Sequence, residues 1–259
     1  MPNPNRAVID EFRANAGRVG GPFTGADLLL LTAGGITSPI GHHDEGDRLL
    51  VYASNAGRDH DPRWYRRLLA DPVGHVEVGT DRYRVVAAPL HGAERDRCYR
   101  EQGERVPAYA AYQRGTDRTI PVVALYRMDH SDRGLAVAVQ LVRAHTALRA
   151  QLAGAAAAGD VFGHCLAWCA EVGEHHHSED TTFPRLLAAL PDLAGTIDRL
   201  RAEHRLVAER LRALDALAAA GDAAGLGAAR TELAGQLDEH FGAEERALLP
   251  ALDTLPDTW

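Results

Sequence analysis

The sequence predicts an α+β protein of two domains: a small β-barrel over residues 1–128, then an up-down bundle of four helices over residues 135–253. Three observations lead there. Apolar residues cluster in short runs up to residue 128 and recur at helical spacing from residue 135 onward. A polar stretch, Asp129-His130-Ser131-Asp132-Arg133-Gly134, divides the two regimes. The length of 259 residues gives each half enough chain for a core of its own.

In the first half, Asp27–Thr32, Arg48–Ser54, His75–Val78, Tyr83–Pro89 and Ile120–Arg127 read as strands. Each is short, rich in Val, Leu, Ile or Tyr, and bounded by Gly, Asp or Pro. Val78–Tyr83 reads as a hairpin turn. Helical patterns fall at Asn5–Ala16, Pro62–Ala70 and Ala93–Arg114. Successive short strands joined by hairpins suit a small barrel with its helices outside.

In the second half, a helix over 135–154 carries Val137, Leu141, His145, Leu148 and Leu152 on one stripe. A second, over 160–180, carries Phe162, Leu166, Cys169, Val172 and His176. A third, over 193–219, carries Ile197, Leu200, His204, Val207 and Leu211. A fourth, over 224–249, carries Leu233, Leu237, His240, Glu244 and Leu248. Short joins rich in Gly, Pro and Asp imply antiparallel neighbours.

Composition narrows the function. A net charge of −8 argues against nucleic acid as a partner. No run of 18 apolar residues is present, so no membrane span is expected. Met1–Arg13 lacks the apolar run of a secretion signal, and the three cysteines, Cys98, Cys165 and Cys169, make no disulfide framework. A cytoplasmic location is the expectation. All 28 basic residues are arginine, which excludes Schiff-base chemistry and a lysine phosphate loop.

The chemistry-bearing residues lie on the apolar stripes of the four helices. They are His145, His175 or His176 with Glu179, His204, and His240 with Glu244. A lone histidine on such a stripe is usually a hydrogen-bonded core residue. One on every helix is a different matter, and buried carboxylates need a cation or strong donors. In both His-x-x-x-Glu segments the imidazole precedes the carboxylate by one helical turn, and a proline, Pro184 or Pro250, is expected to end the helix. Imidazole with carboxylate suits iron, manganese or zinc, and carboxylates able to bridge favour a dinuclear iron or manganese site. His177 is expected in solvent and His164 at a surface or helix start. Cys165 and Cys169, one turn apart, are expected to pack in the core.

Residues 138–252 resemble the hemerythrin-like family with His-His-Glu motifs. The resemblance rests on Arg143-Ala144-His145, His175-His176-His177-Ser178-Glu179-Asp180 with Phe183-Pro184, Glu203-His204-Arg205, and His240 through Pro250. It implies a four-helix bundle holding two irons with bridging carboxylates, able to bind dioxygen, nitric oxide or peroxide. Where oxygen-carrying members place a second histidine on the third helix, this chain has Ala208. One ligand fewer would leave an open position for chemistry or a mononuclear site.

Residues 5–127 resemble the deazaflavin-dependent nitroreductase family. The matching segments are Leu28–Thr32, Val51–Gly57, Asp61–Pro72 and Tyr109–Val122. The resemblance implies a split barrel and reduction by coenzyme F420, a deazaflavin with an anionic tail. It implies cofactor contacts at Ser54, Asn55, Gly57, Trp64, Tyr65 and Tyr112, although aromatic residues such as Trp64, Tyr65, Tyr109 and Tyr112 also serve barrel packing. One departure stands out. The family's basic, Gly-rich loop after the first strand is here Thr32–Gly41, read as a short loop without a basic residue. Gly34-Gly35, Arg58, Arg63 and Arg66 are the groups left to hold an anion.

The expected activity is that of a metal-dependent oxidoreductase acting on dioxygen or a small substrate. Its expected cofactors are two irons per chain, or manganese, with F420 or a flavin in the barrel. A homodimer through the barrel is expected. The alternatives are a di-iron oxidase whose barrel is a scaffold, and a sensor of dioxygen, nitric oxide or iron.

Overall fold

The structure, a computed structural model, describes residues 5–157 and 161–259, without the side chains of 152–157 and 161–167. It divides into two compact units, Met1–Val139 with Leu252–Thr254, and Gln140–Ala251 with Leu255–Trp259. The side chains of Leu152, Phe162, His164, Cys165 and Leu166 lie outside the described residues.

The first unit holds a closed antiparallel barrel. Its strands are β1 (Leu28–Ala33), β2 (Ile36–Asp44), β3 (Leu49–Tyr52), β4 (Val73–Val78), β5 (Asp81–Pro89) and β6 (Val122–Arg127). They join in the order β1-β2-β3-β6-β5-β4, and β4 closes on β1. Leu29, Leu31, Leu49, Val51, Val85, Ala87, Val123 and Leu125 fill the interior. The alternate residues Leu28 and Leu30 pack against Ile9 and Phe12 of α1 (Arg6–Ala14). Burial on both faces explains the unbroken apolar run at Leu28–Leu31.

One strand was not expected. Residues 32–41, read as a loop, belong to a β1–β2 hairpin whose register runs from Leu28↔Gly41 to Ala33↔Ile36. Gly34 and Gly35, at φ of 53° and 75°, supply the two positive-φ residues of its turn. Ile40 is the one buried residue of β2, and Pro39 and Gly41 interrupt the pattern, so the strand left no periodic trace. A second difference lies at Ala93–Arg114, which forms α3 (Gly92–Arg105) and α4 (Pro107–Arg114). Pro107 pushes Val106 into extended backbone and then opens α4 at its first position. The helix expected at Pro62–Ala70 is α2 (Arg63–Ala70), which lends Trp64 and Leu68 to the barrel interior.

The second unit is the helical bundle, built from α5 (Asp132–Ala157), α6 (Val161–Ala189), α7 (Ala194–Ala219) and α8 (Ala223–Leu252). Cross-helix contacts run in opposite senses for each neighbouring pair. His175 and Trp168 of α6 meet His145 and Leu148 of α5. Glu245 and Asp238 of α8 meet His145 and Arg149 of α5. His176 and Asp180 of α6 meet His204 and Arg201 of α7, and Arg210 and His204 meet Glu232 and His240 across α7 and α8. The bundle is therefore up-down. Its apolar core includes Trp168, Val172, Val207, Leu211, Leu233 and Leu237.

Neither proline ends its helix. Pro184 and Pro250 both lie inside, in α6 and α8. Proline at 184 cannot donate to the carbonyl of Asp180 one turn back, and Arg201 donates to that carbonyl instead. Among the described residues, no helix is long and apolar enough to cross a membrane.

Candidate functional site

The four helices bring together five imidazoles and two carboxylates. α7 and α8 supply His204 and His240, which join His176 of α6 in one group. His145 of α5, His175 and Glu179 of α6, and Glu244 of α8 form a second group. Within each group the candidate ligand atoms lie within 4.8 Å of one another. Of the consecutive histidines, both His175 and His176 face the site and His177 is exposed. The pair on α6 thus supplies the imidazole that Ala208 does not, and five histidines converge where four were read.

The residues fit bound metal on their own chemistry. The Nε2 atoms of His145, His175, His176, His204 and His240, and both oxygens of Glu179 and Glu244, are buried without a hydrogen-bond partner. Each such atom left dry costs about 1–3 kcal/mol or more. The atoms nevertheless approach one another: His175 Nε2 lies 3.1 Å from Glu179 Oε1, and His204 Nε2 lies 3.5 Å from Glu179 Oε2. His145 Nε2 and His240 Nε2 lie 3.4 and 3.8 Å from Glu244 Oε2. Close approach without hydrogen-bond alignment suits lone pairs that a cation could satisfy. Each carboxylate reaches one histidine of either group.

A second ring of carboxylates fixes the imidazoles, and the sequence did not reveal it. Nδ1 of His145 lies 2.8 Å from Glu245 Oε1, Nδ1 of His204 lies 3.1 Å from Asp180 Oδ1, and Nδ1 of His240 lies 2.7 Å from Glu203 Oε2. A proton held on Nδ1 leaves Nε2 as the lone-pair donor. The one available signal was adjacency. Asp180 follows Glu179, Glu203 precedes His204 and Glu245 follows Glu244. An acid beside a buried histidine or glutamate on a helix reads as solvent-facing, and only packing shows that it reaches a histidine of another helix.

The electrostatics follow the crowding. Burial pushes His176 down to about 2, helped by His204 and His240, and pushes His175 down to about 4, helped by His145. Burial also lowers His204. Burial and the neighbouring Glu244 carboxylate hold Glu179 well above the usual carboxylate range. Burial alone would raise Glu244 too, but His145 beside it holds it below that range. His145 moves the other way: burial opposes its charge, yet Glu244 and Glu245 raise it. A divalent cation removes these conflicts by taking the place of the missing protons.

In the barrel, three of the six residues implied as cofactor contacts, Ser54, Asn55 and Gly57, lie in a turn held by Arg118. Its guanidinium donates to the carbonyls of Ala53, Ser54 and Arg58 and pairs with Asp61 at 2.7 Å. These bonds clasp a turn in which Asn55, Ala56 and Gly57 all have positive φ, 48°, 53° and 75°. A side chain at Gly57 would meet the Tyr112 backbone at 3.2 Å. The Ser54–Gly57 turn and Tyr112 are therefore neighbours. Tyr65 is raised to about 12, by burial and then by nearby Asp61. Trp64, 8% exposed, is part of the barrel core, with Tyr65 edge-on against it. Tyr52, Tyr99, Tyr109 and Tyr112 pack edge-to-face on one another. These rings thus pack on one another within the barrel unit.

Comparison with known proteins agrees with both halves. The F420H(2)-dependent quinone reductase family profile matches residues 4–127, and the hemerythrin HHE cation binding domain profile matches residues 137–252. An F420H(2)-dependent quinone reductase of Mycobacterium tuberculosis is 36% identical over 126 residues, 45% of this chain and 85% of that one. A solved F420-H2 dependent reductase is 30% identical, with a TM-score of 0.36, over 38% of this chain and 93% of its own. A solved chain described as a domain-swapped dimer is 28% identical, with a TM-score of 0.37, over 47% of this chain and 93% of its own. This chain belongs, through its barrel, to the F420H(2)-dependent quinone reductase family of oxidoreductases, and it carries a hemerythrin HHE cation binding domain after it.

Proposed function

We propose that the chain joins a deazaflavin-dependent reductase barrel to a dinuclear iron centre, and that it reduces a quinone or dioxygen. The observation that carries the metal half of this reading is the inward-facing set: five Nε2 atoms and four carboxylate oxygens, buried and unpartnered. Imidazole with bridging-capable carboxylate favours iron, with manganese next. When bound, an iron pair supplies one-electron redox chemistry, and a reduced deazaflavin supplies a hydride.

The chain's own residues do the rest. Glu179 and Glu244 span the two groups. Glu245, Asp180 and Glu203 hold the Nδ1 protons. Phe183 and Phe241 stack on His204 and His145 and keep water from those rings. In the barrel, Arg118 holds the Ser54–Gly57 turn in its left-handed form, and exposed Arg58, Arg63 and Arg66 offer charge for an anionic tail. Residues 1–128 and 135–253 as separate domains, and a homodimer through the barrel, belong to the same reading and rest on the family resemblance.

The test is consumption of reduced F420 by metal-loaded and metal-free protein, with a soluble benzoquinone or with dioxygen as acceptor. Quinone-dependent oxidation in both forms, and dioxygen consumption in the loaded form alone, is expected. No oxidation with either acceptor would overturn the proposal. A second reading makes the barrel a scaffold for a di-iron oxidase. It is favoured by the β1–β2 hairpin, where residues 32–41 offer no basic side chain. Titration of the coenzyme against the protein separates the two.

A further inference from the structure

The three carboxylates behind the metal-facing histidines are not equivalent. Asp180 and Glu203, behind His204 and His240, have side chains 41% and 33% exposed. Glu245, behind His145, is 3% exposed, and His145 itself is fully buried. Arg149 closes this third contact from behind. Its Nη1 lies 3.3 Å from Glu245 Oε1, and its Nε donates to Asp238 at 3.0 Å. Its guanidinium also lies 5.2 Å from the centre of the Phe241 ring, and that ring stacks on His145 at 4.2 Å. His145 is therefore gripped at its edge by a dry, arginine-backed carboxylate and on its face by a phenyl ring.

We propose that Glu245, braced by Arg149, is the positioning residue that sets how tightly one of the two metal positions is held, the one offered by His145, His175, Glu179 and Glu244. This rests on the dinuclear reading above. A charge-assisted hydrogen bond is stronger where water does not compete for it. It fixes the ring with Nε2 inward and makes that nitrogen a better donor. Asp180 and Glu203 do the same for His204 and His240 through contacts open to solvent, where the gain is screened. Arg149 has its own part, since it neutralises a carboxylate buried next to Glu244. The two positions should consequently differ in affinity, and the difference should trace to residues that touch no metal.

The experiment adds ferrous iron or manganese to metal-free protein under graded competition by a chelator. Wild type is compared with Glu245→Gln, Arg149→Met, Asp180→Asn, Glu203→Gln and His145→Ala. Glu245→Gln keeps the shape of the side chain and removes its charge. It should weaken one of the two ions by roughly 10–100-fold and leave the other unchanged. Arg149→Met should do the same, which covers the case where Glu245→Gln does not fold. Asp180→Asn and Glu203→Gln should spare that ion. The inference is overturned if Glu245→Gln and Arg149→Met hold both ions as wild type does while His145→Ala loses one. Equal weakening of both ions by Glu245→Gln also overturns it. If His145→Ala holds both ions unchanged, the dinuclear reading itself fails.

Discussion

The imidazoles of His176 and His204 stack with ring centres 4.2 Å apart and planes 7° from parallel. Two imidazolium ions would repel strongly at that distance in a dry site, so at most one ring carries a charge, and burial disfavours the charge on either. His204 directs Nδ1 at Asp180 and His176 is fully packed, which leaves each with an Nε2 lone pair facing the site. The burial that disfavours their charge makes the metal-free bundle sensitive to acid.

The sign follows from the shifts. His175, His176 and His204 are lowered from 6.5 in the folded state, so below that pH the unfolded chain binds protons that the folded chain refuses. Stability is fully present above pH 6.5 and is lost progressively as pH falls towards the folded values. Glu179, raised by burial, and His145, raised by Glu244 and Glu245, work in the opposite sense, two groups against three. Each unopposed proton is worth on the order of 1.4 kcal/mol per pH unit. The unfolding midpoint of metal-stripped protein should therefore fall between pH 7 and pH 5.5, and less steeply in His176→Gln. A midpoint that does not move over this range would contradict the placement of these rings.

The position of Glu179 between the two groups predicts what single deletions do. Glu179→Ala removes an oxygen near His175 and another near His204, one from each group. His240→Ala removes a donor from the three-histidine group alone. Metal analysis should give about two ions per chain in wild type and fewer in both variants, with Glu179→Ala the lower. Wild-type metal content in both would remove the site.

Metal should also stabilise the bundle, because it binds a set of buried donors that the unfolded chain does not assemble. At a free-metal concentration about 100 times the dissociation constant, the gain is about 2.7 kcal/mol. That amounts to a midpoint shift on the order of 10 °C for a domain of this size. Helical circular dichroism during heating, with and without a chelator, measures it. Coincident curves would show that the folded bundle binds no cation and would overturn the prediction.

Much of this was legible in the residues, and the gaps have physical reasons. The stripes Ile197-Leu200-His204-Val207-Leu211 and Leu233-Leu237-His240-Glu244-Leu248 are all buried, because an amphipathic helix carries its orientation in its own period. Strand β2 was not legible, since with Ile40 alone buried its position depends on hydrogen bonds to β1. The choice between His175 and His176 could not be made from one helix. Rings about 100° apart both face the site because three other helices surround it. The supporting acids Asp180, Glu203 and Glu245 look like solvent-facing charge until their partners on other helices are known. The continuation past Pro184 depended in the same way on a distant residue, Arg201.

The last prediction concerns Arg118 and the turn it clasps. Asn55 and Ala56 are left-handed without being glycine, which costs about 1–2 kcal/mol at Ala56 and less at Asn55, whose side chain tolerates that region. That conformation persists because Arg118 answers the carbonyls of Ala53, Ser54 and Arg58 and pairs with Asp61. Hydrogen bonds to a charged group contribute roughly 1.5–3 kcal/mol each, more than the strain of the two residues if even two of them survive in solution. Arg118→Met should therefore release the turn. Deazaflavin binding should weaken at least tenfold, since tenfold corresponds to about 1.4 kcal/mol. The metal content of the helical half should stay unchanged. Arg118→Lys should not rescue binding, because an ammonium cannot serve three carbonyls and a carboxylate in the fixed fork of a guanidinium. Fluorescence titration of the coenzyme, with thermal unfolding as the control for folding, reads both effects. A folded Arg118→Met variant that binds the coenzyme as wild type does would show that the turn keeps its shape unaided, and Arg118 would then be a stabilising residue of the barrel alone.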